Sequence, residues 1–194
     1  MRLLIGFVVA AAIGVAAQDA GADDVRLYGP KHTVRKHTTQ KMPSHGEKLV
    51  RQKFRRASYF GAIVCSHPSG CAIVTGYNTL DSAVEQTMAV CRSRAGPADD
   101  PCILYATVVP RGYQEGSAET LNWGSAKVYK QFQKYQGTAA AAASDRGTFV
   151  WLSAPTLKEA KAAALDRCNF WVEQGVSEEV IKNECRILSE KDGG

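Results

Sequence analysis

Beyond residue 58 the apolar residues fall into short runs and helical stripes, and the same succession comes round twice. In the first round, residues 62–65 and 71–76 are brief stretches rich in Val and Ile. Between them stands Ser66-His67-Pro68-Ser69-Gly70, where proline presets φ and glycine accepts a left-handed turn, so the pattern predicts a β-hairpin. Thr79 offers a hydroxyl to cap a helix whose first turn carries Asp81, and Leu80, Val84, Met88 and Cys91 share one face. Gly96-Pro97 breaks that helix, and residues 102–109 (CILYATVV) predict another strand.

The second round repeats these signals. Residues 139–143 and 148–152 flank the turn Ser144-Asp145-Arg146-Gly147, and Thr156 precedes a helix that carries Lys158-Glu159 in its first turn. Leu157, Ala160, Ala164, Leu165 and Cys168 form its stripe. A polar stretch at 173–184 leads to a short strand at 185–188. The first strand of this hairpin is all alanine, a helix former, and is assigned to a sheet because its partner strand and the repeat register both require one. Between the rounds, 110–116 is rich in turn residues and 122–136 predicts a helix. Its stripe of Val128, Phe132 and Tyr135, with Trp123 before it, has the spacing of a face that docks on the sheets.

Residue 60 laid over residue 137 stays in ungapped register at an offset of 77. Gly70 falls on Gly147, Thr79-Leu80 on Thr156-Leu157, Ala83 on Ala160 and Cys91 on Cys168, a coincidence best explained by duplication. The predicted fold is α+β: two repeated strand-strand-helix-strand units, at 57–110 and 137–190, each with a small antiparallel sheet, connected by a segment at 111–136 that contains a helix. Six cysteines sit in this frame, an even number without the CxxC spacing of a zinc site, and are read as disulfides. Cys91 with Cys102, and Cys168 with Cys185, tie the end of a helix to the next strand. Cys65 and Cys71 face each other across the first hairpin, and the positions matching them at offset 77, Ala142 and Thr148, lack cysteine together.

The N-terminus changes the picture further. Met1-Arg2, the uncharged run 3–17 and the small residues before Gln18 predict a cleavable signal peptide at 1–17, because the run is short for a membrane span. The mature protein is then periplasmic or secreted, with no integral span. The chain is +5 overall, yet Arg26 to Arg56 carry ten Lys or Arg against one acid, Glu47. With so little to bury, 18–56 is expected to be a basic flexible arm, ending in a short basic helix over 47–58. Lys31, Arg35, Lys36, Arg51, Lys53, Arg55 and Arg56 are its candidate contacts to anionic envelope polymer or lipid headgroups. His32, His37 and His45 could serve as metal ligands, but they lack a scaffold, and the reading is no metal and no cofactor.

Phe60-Gly61-Ala62-Ile63, Gly70, Leu80, Ala83, Cys91 and Cys102, echoed by Gly147, Leu157, Ala160, Cys168 and Cys185, resemble a family of exported bacterial domains of unknown function with duplicated units. Some two-copy alphaproteobacterial chains of this kind carry the name aminolevulinate synthase. The resemblance covers roughly residues 57 to 190 and implies export and the two-unit fold, but no agreed activity. A pyridoxal-phosphate synthase needs a large fold with a Schiff-base lysine and a phosphate cup, which these residues do not supply. No GxSxG, HExxH, Walker or dinucleotide motif occurs, and no catalytic residue is assigned. The favoured function is a non-catalytic envelope module. The alternatives are a hydrolase or other small enzyme with a site between the units near His67 and Tyr113, and a protein-binding ligand or inhibitor.

Overall fold

The computed structural model describes residues 25–67, 70–97, 100–116, 119–174 and 185–193. The leader at 1–17 and residues 18–24 lie outside the described residues. In chain order the elements are β1 (His32–Lys36), α1 (Ser44–Lys53) with a 3-10 turn at Phe54–Arg56, β2 (Gly61–Ser66), β3 (Gly70–Thr75), α2 (Leu80–Arg94), β4 (Ile103–Pro110), α3 (Trp123–Lys134), β5 (Ala139–Ala143), β6 (Phe149–Ser153), α4 (Leu157–Gln174) and β7 (Arg186–Lys191). They form two antiparallel sheets, of four strands in the order β1-β4-β2-β3 and of three in the order β6-β5-β7.

The strand-strand-helix-strand order is thus present twice in an α+β fold, and in each unit the first hairpin strand lies at the centre. The third strand joins it with a shift in register, after Ile63 in the first sheet and after Ala141 in the second. Both helices start on the threonine read from sequence. Thr79 accepts from the Ser82 N–H, while Thr156 and Glu159 form a reciprocal capping box, with Thr156 N donating to Glu159 at 3.2 Å and Glu159 N donating to Thr156 Oγ1 at 3.3 Å. All six cysteines are bridged, Cys65 to Cys71, Cys91 to Cys102 and Cys168 to Cys185.

The register expectation needs one correction. Cys65 pairs with Cys71 across the first hairpin, but Ala142 pairs with Val150, not Thr148. The equivalent positions in the strands are 78 apart: the bulge falls after Ile63 and Ala141, and Val64 meets α2 as Ala142 meets α4. Ala143 and Phe149 therefore stand where the hairpin cysteines stand. The offset returns to 77 at the helices because three residues, 76–78, link β3 to the Thr79 cap, and only Ala154 and Pro155 link β6 to Thr156. A slip of one residue would have put each strand's buried side chains on the wrong face.

The described part of the basic segment is not a free arm. β1 pairs along β4 from His32↔Pro110 to Lys36↔Ala106, and Val25 and Leu27 pack on the second unit's core. Bonding to an otherwise open sheet edge supplies what the segment's own composition does not. Helix α1 begins at Ser44, before the expected 47, and lies on the face of the first sheet opposite α2. There Met42, Leu49, Val50 and Phe54 cover Ile63, Cys65 and Ile73. Gly46 makes this approach possible, because a Cβ there would lie 2.7 Å from Cys71 Sγ. Helix α3 lies in the same way on the second sheet, so each sheet is held between two helices. Its buried residues are Ser125, Ala126, Tyr129 and Phe132, while Val128 is exposed. The stripe is turned from the expected one so that the two rings meet the alanines of β5.

The alanine strand is central and fully buried. Ala139, Ala141 and Ala143 face α3, and Ala140 and Ala142 face Ala160, Ala164 and Cys168 of α4. Hydrogen bonding on both edges and close cover on both faces outweigh the low strand preference of alanine. The two units are joined through Asn78 and Asn122. Asn78 Nδ2 donates to the Ser144 carbonyl at 2.7 Å and the Thr148 carbonyl at 3.3 Å, and its Oδ1 accepts from the Asn122 N–H at 2.8 Å. Asn122 Nδ2 donates to the carbonyls of Gly76 at 2.8 Å and Gly147 at 3.0 Å. Gly147 has φ +99° and lies so close that a Cβ would stand 2.1 Å from the Gly76 oxygen. Nearby, Arg186 of β7 pairs with Glu119 and with Asp145, at 2.5 and 2.7 Å.

Candidate functional site

Adding β1 makes the first sheet one strand wider than the second without lengthening the helix that covers it. α1 sits over β2 and β3, and Tyr105, Ala106 and Val108 of β4 are buried with Phe54 in the same core, so it is the face of β1, with Val34, that stays uncovered. The chain leaves β1 at His37, whose N–H still donates to the Tyr105 carbonyl at 3.0 Å, and arcs through 38–42 into α1. The result is an open cleft of about 1210 Å³ with β1, the 38–42 arc and α1 as walls.

Its lining divides by chemistry. Val34, among the few large apolar residues that remain exposed, and half-buried Met42 and Val50 supply apolar surface, with Tyr105 and Ala106 buried at its base. Lys36, Lys41 and Arg51 supply three cations, with His37, Thr38, Thr39 and Gln40 as polar neighbours and Glu47 as the one lining acid. Among the described residues none of these cations has a carboxylate within ion-pair distance; the basic partners in ion pairs are Arg35, Lys161 and Arg186. His37 Nε2 is hydrogen-bonded with Thr107 Oγ1 at 2.8 Å, which fixes its ring. The field in the cleft is therefore positive, over an apolar base.

Of the expected anion contacts, the structure brings together Lys36 and Arg51. Alternation along β1 turns Arg35 to the other face. There it donates to Glu115 at 3.0 Å and to the Tyr113 carbonyl at 2.9 Å, and stacks 5.6 Å from the Tyr113 ring. Lys31, Lys53, Arg55 and Arg56 are exposed and do not line the cleft. Sequence reasoning missed Lys41 as a site residue, along with Val34, Met42 and Tyr105. The Thr33-Val34 pair, β-branched within a charged stretch, was the available signal for a strand.

The other candidate, a site around His67 and Tyr113, does not assemble. Tyr113 packs on Phe60 at 4.8 Å between ring centroids, before the start of β2, whereas His67 follows its end. A strand's length, about 20 Å at 3.3 Å per residue, separates them. Tyr113 is held neutral above the usual tyrosine range by burial and then by Asp81, Glu115 and Tyr28, with Arg35 opposing. His67 is exposed. Among the described residues no group of three or more His, Cys, Asp or Glu side chains is placed to hold a metal.

No family model, characterised protein or solved structure matches the chain. All six cysteines are oxidised, and no described helix is long and apolar enough to cross a membrane.

Proposed function

We propose that the chain is an exported, non-catalytic module of the bacterial envelope that holds anionic material, polymer or lipid headgroup, in the cleft between β1 and α1. The observation that carries this reading is the set of three cations, Lys36, Lys41 and Arg51, that line one open cleft without carboxylate partners among the described residues. An unpaired cation over a low-dielectric wall attracts an anion more strongly than one in open solvent. Export by the 1–17 leader and bridging in an oxidising compartment belong to the same reading. So does descent of both units from one ancestor of the exported, duplicated family, supported by the shared bulge, capping threonines and helix-to-strand bridges.

The test compares two triple variants of equal charge in vesicle co-sedimentation at low salt, using phosphatidylglycerol vesicles against phosphatidylcholine. At about 1 kcal/mol per cation near an anionic surface, Lys36→Ala with Lys41→Ala and Arg51→Ala should weaken binding at least tenfold. Lys53→Ala with Arg55→Ala and Arg56→Ala should weaken it several-fold less. Equal losses, or no preference for the anionic vesicles, would overturn the assignment to the cleft.

A further inference from the structure

The cleft holds two kinds of surface, and only one is explained by binding of anions in general. A site for polyanion alone is served by exposed cations such as Lys53, Arg55 and Arg56, which stand on α1 and its 3-10 turn with no apolar neighbour needed. Lys36, Lys41 and Arg51 instead border exposed Val34 and half-buried Met42 and Val50. Leaving that apolar surface to water is unfavourable in the free protein, at roughly 25 cal/mol per Å². A ligand that brings apolar surface of its own relieves it. Met42 is suited to this, since an unbranched thioether fits chains of varied shape.

We infer that the cleft is a site for an anionic amphiphile, with a phosphate-type headgroup against Lys36, Lys41 and Arg51 and one alkyl chain along Val34, Met42 and Val50. This rests on the reading of the cleft as an anion site and adds the class of ligand. Charge complementarity selects the headgroup, and the apolar base selects the tail. The volume of this open cleft, about 1210 Å³, exceeds what a headgroup alone requires and is above the roughly 300–1,000 Å³ of small-molecule sites, which leaves room for a chain beside the headgroup. Among the described residues the second sheet has no strand added beside β7, and α3 is packed on β5 and β6.

The experiment is calorimetric titration of the mature chain with monomeric alkyl phosphates of rising length, octyl, decyl and dodecyl, below their micelle concentrations. Inorganic phosphate, octyl glucoside and a soluble polyphosphate serve as comparisons. Affinity is expected to rise with each methylene, up to about fourfold at full burial. Lys41→Gln should weaken all the alkyl phosphates alike. Val34→Asn, at an exposed strand position, should flatten the dependence on length while circular dichroism shows the fold intact. Alkyl phosphates that bind no better than inorganic phosphate, while polyphosphate binds and loses affinity in Lys41→Gln, would overturn the amphiphile and leave the anion site standing. Absence of binding by every anion would overturn both.

Discussion

Asn78 is the most demanding residue in the join between the units, and its replacement by alanine provides a direct measure of that join. Its side chain is 2% exposed and makes three hydrogen bonds, to the Ser144 and Thr148 carbonyls and from the Asn122 N–H. Each bond contributes about 1 kcal/mol net, and buried partners left unsatisfied cost about 1 to 3 kcal/mol apiece unless water reaches them. A loss of about 3 kcal/mol is therefore expected for Asn78→Ala, or roughly 6–12 °C in Tm for a chain of this size. Asn78→Asp keeps the acceptor for Asn122 but turns a carboxylate oxygen toward two carbonyls, so it should cost at least as much at pH 7. Urea unfolding of the mature chain gives both values. Because Asn122 belongs to the same network, the Asn78→Ala and Asn122→Ala losses should also fall short of additivity in the double variant. A loss below about 1 kcal/mol for Asn78→Ala, at unchanged m value, would refute the claim that these bonds hold the units together.

Three further outcomes follow from single positions. Gly46→Ala should destabilise by about 1–3 kcal/mol although alanine is the better helix former, because its Cβ would meet Cys71 Sγ at 2.7 Å; a gain in Tm would show that α1 can retreat freely. Tyr59 is buried, its hydroxyl donates to the carbonyls of Tyr28 and Gly29, and burial, then the Tyr28 charge, pushes its pKa to about 12. The neutral phenol is favoured in the fold, so its contribution to stability is complete below the ordinary value of 10 and declines as pH rises from 10 through about 12. Tyr59→Phe should show a shallower decline over that window in pH-dependent urea unfolding, and an identical profile would count against it. Cys168→Ser with Cys185→Ser opens a 17-residue loop and should cost about 3 kcal/mol on a chain-entropy estimate, readable as a fall in Tm.

The strand, helix and cysteine pattern was legible because each element carries a local cause: a turn glycine, a capping threonine, an apolar run. The alanine strand was legible only through the register, since its stability comes from neighbours on every side. The N-terminal segment failed for the opposite reason. Val34 is the only large apolar residue in β1, and what makes it a strand is the open edge of β4, about seventy residues away in sequence. The hairpin offset failed because an ungapped overlay hides a one-residue difference in the links to the helices. For the candidate site, charge alone pointed to Lys36 and Arg51, but Lys41 and the apolar base needed the arc from β1 to α1 to bring them together.

The all-alanine β5 also governs how the two units can diverge. Every residue of that strand is at most 2% exposed between two helices, so any larger side chain pushes on α3 or α4, and glycine is the only smaller one. Its counterpart β2 is just as buried, but it contains Ile63 and Val64, which smaller apolar residues can replace at modest cost, about 0.5–1.5 kcal/mol for Ile→Val. Both strands resist larger side chains, but only β2 has side-chain volume to lose. The central strand of the second unit is therefore the less tolerant of exchange of the two.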